Sequence, residues 1–283
     1  MPVYQVADAF AFLVLASLGL AVIFGMMGVI NLAHGELIMC GAYVTVTAAR
    51  SGLPLWLAMA CGALAAGAVG MVAERLFIRR LYGRPFDSIV ATWALSLIGS
   101  QGTLILVGPS LAGLGTPLGS VTLGGTSFAA YRFVLIAIAL ALLLGLYLLF
   151  MHTGFGRKSR ATMQNAQMAR ALGTPTDRLH TLTFGLGSAL AGLTGALYAP
   201  TMVMIPTMGA TFIVQAFVTV VVGGANVLLG VAPAALALGS IQAALTGVWG
   251  NTIGQLGLLV AAMVVIRCLP GGFSELRWRR RHG

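Results

Sequence analysis

An all-α, polytopic transmembrane helical bundle of about eight to ten spanning segments, some of them broken or re-entrant, is predicted by three features of the sequence. Hydrophobic residues make up 59% of the 283 and charged residues 8%, against about a quarter charged in soluble domains. Mean hydropathy is +0.97. The 38 glycines lie inside apolar runs and follow no Gly-X-Y period, which is how glycine is used where transmembrane helices pack closely. A soluble globular fold and a collagen-like one are both excluded.

The elements follow in chain order. Uncharged apolar stretches near 9–30, 53–73, 88–107, 132–151, 181–205, 209–229, 231–248 and 254–267 approach or cross a hydrocarbon core of about 30 Å. The piece at 37–49 is shorter and follows Asn31-Leu32-Ala33-His34-Gly35-Glu36, so a broken or re-entrant helix is expected there. The first Lys or Arg in the chain is Arg50. The opening apolar segment therefore lacks the basic n-region of a cleavable signal peptide and is expected to stay in the mature protein.

Charge placement predicts orientation. Arg75, Arg79, Arg80 and Arg84, then Arg157, Lys158, Arg160, Arg170 and Arg178, then four arginines within 277–281 mark three cytoplasmic regions by the positive-inside rule. The uncharged, glycine-rich stretch 108–131 suits an external or re-entrant loop, and the N-terminal segment with Asp8 suits the external side. An outside N-terminus with an inside C-terminus requires an odd number of crossings, nine if every piece spans. The net charge of +10 is read as cytoplasmic loops facing anionic lipid rather than as a nucleic-acid surface.

Cys40, Cys61 and Cys268 form no CxxC pair and read as packing residues. Gly185, Ala189 or Gly192, and Gly195 make a small-residue stripe that serves either tight packing within one chain or a dimer interface. No HExxH, GxSxG or Walker A pattern occurs among the residues, and the six carboxylates form no acidic cluster, so paired acid-base or metal-assisted catalysis has few candidates. No metal site, cofactor site or catalytic residue is assigned.

Two polar constellations remain. Asn31, His34 and Glu36 follow the apolar run ending Phe24-Gly25-Met26-Met27-Gly28-Val29-Ile30. Ionisable groups at bilayer depth face the protein interior or a water-filled cavity. They either shape and gate a translocation path, or cap and bridge a helix break while Glu36 sits at the interface. The second is the cytoplasmic stretch from Gly156 to Gly173, whose middle reads as one short helix with Ala161, Met168, Ala169 and Leu172 in an apolar stripe and Gly173 as its stop. It is either a solvated loop helix or an element that a soluble motor subunit grips.

These residues resemble the membrane permeases of ATP-binding-cassette importers of the branched-chain amino acid and urea/amide type. Gly25 to Glu36, with its Asn-x-Ala-His-Gly-Glu core, is similar to that family's N-terminal signature. Arg160-Ala161, Gln164-Asn165, Met168-Ala169 and Leu172-Gly173 resemble its cytoplasmic loop that docks on the ATPase. Gly223-Gly224 with Gly230, and the terminal Pro270-Gly271-Gly272-Phe273, extend the resemblance over nearly the whole chain, with Leu269 where the family usually has Arg and Gly224 to Leu228 in place of a more glycine-rich stretch. Gln164-Asn165, Ala91-Thr92-Trp93 and Met208-Gly209 leading to Gly223-Gly224 look more like the urea/short-amide branch.

The resemblance implies a single permease domain over 1–283, with a coupling loop at about 152–180 and a basic tail at about 268–283. It implies a multi-pass inner-membrane subunit paired with a homologous second permease, two ATPase subunits that bind the ATP, and an extracytoplasmic substrate-binding protein. This chain itself would hydrolyse nothing. Arg160, Ala161, Gln164, Asn165, Ala169, Arg170, Leu172 and Gly173 are then the coupling candidates, and Asn31, His34 and Glu36 the path or gating candidates. The competing reading is a motor-independent channel or scaffold, with an intramembrane enzyme further behind.

Overall fold

A computed structural model of the chain describes residues 2–123, 126–224 and 227–274. Its helices are α1 (Pro2–Met27), α2 (His34–Arg50), α3 (Leu55–Leu76), α4 (Pro85–Val107), α5 (Ala130–His152), α6 (Gly154–Gln164), α7 (Ala166–Ala171), α8 (Thr176–Tyr198), α9 (Met208–Gly223), α10 (Val227–Trp249) and α11 (Asn251–Cys268). Seven of the described helices, α1, α3, α4, α5, α8, α10 and α11, are long and apolar enough to cross a membrane. The all-α polytopic bundle expected from composition is what forms.

Helix α1 stops at Gly28, whose φ of +65° is open to a residue without a Cβ. The chain resumes as α2 six residues later, so the break expected between 28 and 36 is present. The expectation of a spanning segment at 209–229 is corrected: α9 has 16 residues, about 24 Å at 1.5 Å per residue, short of a hydrocarbon core of about 30 Å. Gly224, at φ +84°, ends it. The stretch 108–131 carries an antiparallel hairpin, β1 (Ser120–Leu123) and β2 (Thr126–Ala129), which helical and span patterning could not reveal. The basic run 277–281 and Glu275 lie outside the described residues, as do Ala225 and Asn226.

Helix α8 is the centre of the bundle, packed against α1, α2 and α3. Small residues let the backbones meet: a Cβ on Gly41 would run into the Gly192 carbonyl, one on Gly195 into the Ile38 carbonyl, and one on Gly70 into the Ser188 side chain. The stripe of Gly185, Gly192 and Gly195 thus packs inside one chain, against α2 and α3. Buried hydroxyls tie α8 to α1 and α5. Thr194 donates to the Leu15 carbonyl at 2.7 Å and Tyr131 to the Leu197 carbonyl at 2.6 Å. By contrast α4 buries only 6% of its most apolar stretch within the chain. Cys61 and Cys268 are exposed on the bundle surface and Cys40 is half-buried, so the expected packing role fails for two of the three, since they face outward from α3 and α11.

One end of the bundle is closed by a buried polar knot. Glu74, fully buried near the end of α3, accepts from Tyr82 Oη at 2.5 Å and Thr181 Oγ1 at 2.7 Å, and pairs with Arg79 at 3.3 Å. The Arg79 guanidinium also donates to Thr181 at 2.7 Å. Asp87, by contrast, is partly exposed and pairs with Arg84 in the first turn of α4 at 2.5 Å.

Candidate functional site

The first candidate site grows from the break between α1 and α2. Asn31 Oδ1 accepts from the Ala33 N–H at 3.1 Å, and the Asn31 carbonyl receives the His34 N–H at 3.3 Å. An asparagine can turn the chain this way because its side chain imitates a backbone acceptor. Thr92 of α4 supplies the next partner, its Oγ1 accepting from the Leu32 N–H at 3.1 Å. The freed backbone is thus satisfied locally, as a break inside a bilayer requires.

The three expected path residues do not stay together. His34 is fully buried and turns toward α1, with Nε2 3.0 Å from the Ala16 carbonyl. A carbonyl only accepts, so Nε2 is the donor at that contact. Gly19 and Gly187 leave room for the ring and the backbone around it. His34 packs against α1 and does not line the cavity that Asn31 and Glu36 share. Asn31 and Glu36 instead line one cavity of about 260 Å³ between α2, α3 and α4, with Leu95, Gly99, Ala73 and Phe184 on its walls.

Glu36 is half-buried in that cavity. Its Oε1 accepts from Ser96 Oγ of α4 at 3.0 Å, while Oε2 has no partner, and neither has Asn31 Nδ2. Gly99 of α4 lies against the Glu36 stem, where a Cβ would come within 3.3 Å. On the other side the first turns of α2 and α9 cross at Gly35 and Gly209, so tightly that a Cβ on either would strike the other backbone. Both short helices therefore begin at one crossing, with Glu36 Oε1 3.0 Å from where a Gly209 Cβ would sit. Sequence reasoning found Gly35 and Glu36 but missed Ser96 and Gly99; no signal separates a serine facing a carboxylate from one facing lipid.

The second candidate site is the segment between α5 and α8. The expected single helix is two, because Asn165 leaves helical geometry at φ −155° and ψ 100° and its Oδ1 caps α7 by accepting from the Met168 N–H at 2.9 Å. Asparagine competes with the helix for backbone partners in this way. Gly173 ends the pair in a Schellman turn at φ +80°, with Gly173 N–H on Arg170 O and Thr174 N–H on Ala169 O, both at 3.0 Å. Thr153 caps the start of α6, accepting from Gly156 N–H at 3.2 Å. Gly156 sits directly on the Phe150 backbone, with no room for a Cβ.

Of the coupling candidates, Ala161, Gln164 and Asn165 are exposed, Leu172 is 79% exposed and Ala169 is buried. Of the expected stripe, Ala161, Met168 and Leu172 are exposed and Ala169 is buried, and Met163 is exposed beside them. The two arginines turn back on their own chain. Arg160 is half-buried with its guanidinium against the Met151 sulfur. Arg170 braces the start of α8 through Thr176 at 2.9 Å and Asp177 at 3.1 Å. What the segment offers outward is an apolar patch with polar amides beside it.

Comparison with known proteins bears on the chain as a whole. The family described as "Branched-chain amino acid transport system / permease component" matches residues 3–269. The chain is 26% identical over 275 residues to the high-affinity branched-chain amino acid transport system permease protein LivH of Salmonella typhimurium, covering 91% of this chain and 89% of that one. It is 26% identical over 286 residues to a probable branched-chain amino acid transport permease protein LivH of Methanocaldococcus jannaschii, covering 95% and 90%. It is 26% identical over 270 residues to the permease protein BraD of Pseudomonas aeruginosa, covering 88% of each. No solved structure matches the chain.

Proposed function

The chain belongs to the branched-chain amino acid transport system permease component family, and from that membership we propose that it is one permease subunit of an ATP-driven importer of branched-chain amino acids. As a multi-pass member of a permease family it is a transport subunit and not an enzyme. The observation that carries the fuller reading is the outward apolar face of α6 and α7, Met163, Met168 and Leu172, on a segment held at both ends by caps. A patch of this kind, beside charged residues and away from the apolar spans, fits a protein partner.

The remaining parts follow the importer reading. Two ATPase subunits bind the ATP and grip α6–α7; a homologous second permease completes the path, and an extracytoplasmic binding protein delivers substrate. The whole of 1–283 is one permease domain in the inner membrane, with α6 and α7 cytoplasmic and the N-terminus outside. Motor closure moves α6–α7, and the bundle rocks between inward and outward openings. Glu36 and Asn31, on the cavity beside the α2–α9 crossing, are the gating residues. The names of the three relatives favour amino acids, so the substrate reading moves away from the urea/short-amide branch suggested by Gln164-Asn165 and Thr92.

Uptake of radiolabelled leucine and urea by cells carrying the complete importer tests this, with Met168→Glu/Leu172→Glu compared at equal membrane abundance. The expected result is leucine uptake that requires ATP and is lost, together with ATPase copurification, in the double variant. Uptake indifferent to the double variant would leave a motor-independent channel, and urea uptake without leucine would return the substrate to the amides.

A further inference from the structure

At the end of the bundle opposite α6 and α7 lies a second pocket of about 430 Å³, within the roughly 300–1,000 Å³ usual for small-ligand sites. Its polar lining is unusual for so apolar a chain. Asp8 of α1 and Arg132 of α5 form an ion pair there, with side chains 21% and 45% exposed. Tyr198, 7% exposed at the end of α8, also lines the pocket, and its hydroxyl has no partner. The Gln242 Oε1 of α10 has none either. Phe12 and Met202 supply apolar wall, with the Phe12 ring 5.2 Å from that of Tyr198 and nearly perpendicular to it.

We propose that this pocket binds a small zwitterion, one ammonium and one carboxylate on an apolar body, and, resting on the importer reading above, that its occupant is the free amino acid in transit. The charges select the class. A ligand with a single charge would pair with Asp8 or Arg132 and break the ion pair for one charged contact, where a zwitterion makes two. A neutral amide would leave the ion pair closed and gain nothing from it. A zwitterion replaces both halves of the pair at once: its ammonium takes Asp8 and its carboxylate takes Arg132. The two orphan groups fit the same division, since the Tyr198 hydroxyl can donate to a carboxylate and Gln242 Oε1 can only accept, as from an ammonium. Phe12 and Met202 then face the aliphatic side chain.

The same chemistry occurs in a zwitterionic phospholipid headgroup, so the test separates the two sources. The complete importer, without its binding protein, is placed in nanodiscs of phosphatidylglycerol, with or without phosphatidylethanolamine, and equilibrium binding of radiolabelled leucine is measured. Saturable leucine binding is expected in both lipids. Leucinamide, N-acetylleucine and urea should compete at least about tenfold less well than leucine, the loss of one charged contact being worth a factor of that order. Tyr198→Phe keeps the ring and should weaken binding about fivefold, the size of one hydrogen bond. The exchange Asp8→Arg/Arg132→Asp keeps an ion pair and the thermal midpoint but reverses the polarity, and should abolish oriented leucine binding.

Leucine binding unchanged in both variants would overturn the pocket, whatever the uptake shows. Equal competition by the singly charged analogues would overturn the zwitterion. Phosphatidylethanolamine retained by the intact protein and lost by the exchange variant, with no leucine bound in either lipid, would make the occupant a headgroup and overturn the amino acid. Failure of the importer reading is read separately, as the absence of ATP-dependent leucine uptake.

Discussion

The Tyr82 hydroxyl donates a 2.5 Å hydrogen bond to Glu74 Oε1, joining the turn after α3 to a carboxylate that no solvent reaches. Three donors converge on that carboxylate, from Tyr82, Arg79 and Thr181. Glu74→Ala would leave them without an acceptor and should cost about 2 kcal/mol, reduced from the fully buried case because Arg79 reaches solvent. Tyr82→Phe should cost about 1 kcal/mol. Thermal unfolding in nanodiscs measures both, and a Glu74→Ala midpoint equal to that of the intact protein would refute the knot.

Tyr82 also sets an alkaline limit. Burial, then the Glu74 carboxylate, push its phenol up from the ordinary value, which is about 10. The neutral form is thus favoured in the folded state. Its contribution is complete below pH of about 10 and is lost as pH rises toward the higher folded-state value. The stability difference between the intact protein and Tyr82→Phe should shrink above that pH; a constant difference would deny the shift.

Glycines in this bundle divide by what surrounds them. Gly195→Ala would press a methyl into the Ile38 carbonyl and should cost about 1–3 kcal/mol or prevent assembly of the fold. Gly102 and Gly145 have open space where a Cβ would sit, and alanine there should be neutral or stabilising by up to about 1 kcal/mol. Comparing melting midpoints and yields of the three variants checks the division.

Ser96 and His34 should part company in function. Ser96→Ala removes the partner of a half-buried carboxylate, at about 1–3 kcal/mol to that group, and should slow ATP-dependent uptake per folded molecule. His34→Ala should lower the amount of folded protein and leave uptake per folded molecule unchanged. Should His34→Ala slow the folded protein's turnover instead, its role goes beyond packing against α1.

For the segment between α5 and α8, Asn165→Ala removes the cap on Met168 and Gly173→Ala forces alanine to φ +80°. Each should cost about 1 kcal/mol locally. Uptake should fall while leucine binding to the complete importer persists. Loss of binding in step with uptake would contradict a role confined to the motor side.

The bundle was legible because hydropathy acts within each segment, and the break at Gly28 to Ala33 because Asn31, His34 and Glu36 interrupt an apolar run. The partners of those residues were not. Ser96 lies 60 positions from Glu36 and Arg132 lies 124 from Asp8, and an apolar pattern does not say which helix a lone polar group will face. The α9 boundary was misplaced since the apolar run continues past Gly224, where only the backbone turn ends the helix. Of the stripe Ala161, Met168, Ala169 and Leu172, only Ala169 turns inward, because spacing defines a face without saying what covers it.

Gly156 seated on the Phe150 backbone gives α6 a mechanical character. With Thr153 capping the joint, α6 is keyed to α5 like a crank to a shaft, with little slack between them. The far end is different, for Asn165 and Gly173 interrupt the helix on either side of α7. Besides the joint to α5, the pair α6–α7 packs against α8, where Arg170 braces Thr176 and Asp177. The joint between α5 and α6 is thus the tighter end of the segment, and the breaks around α7 the looser one.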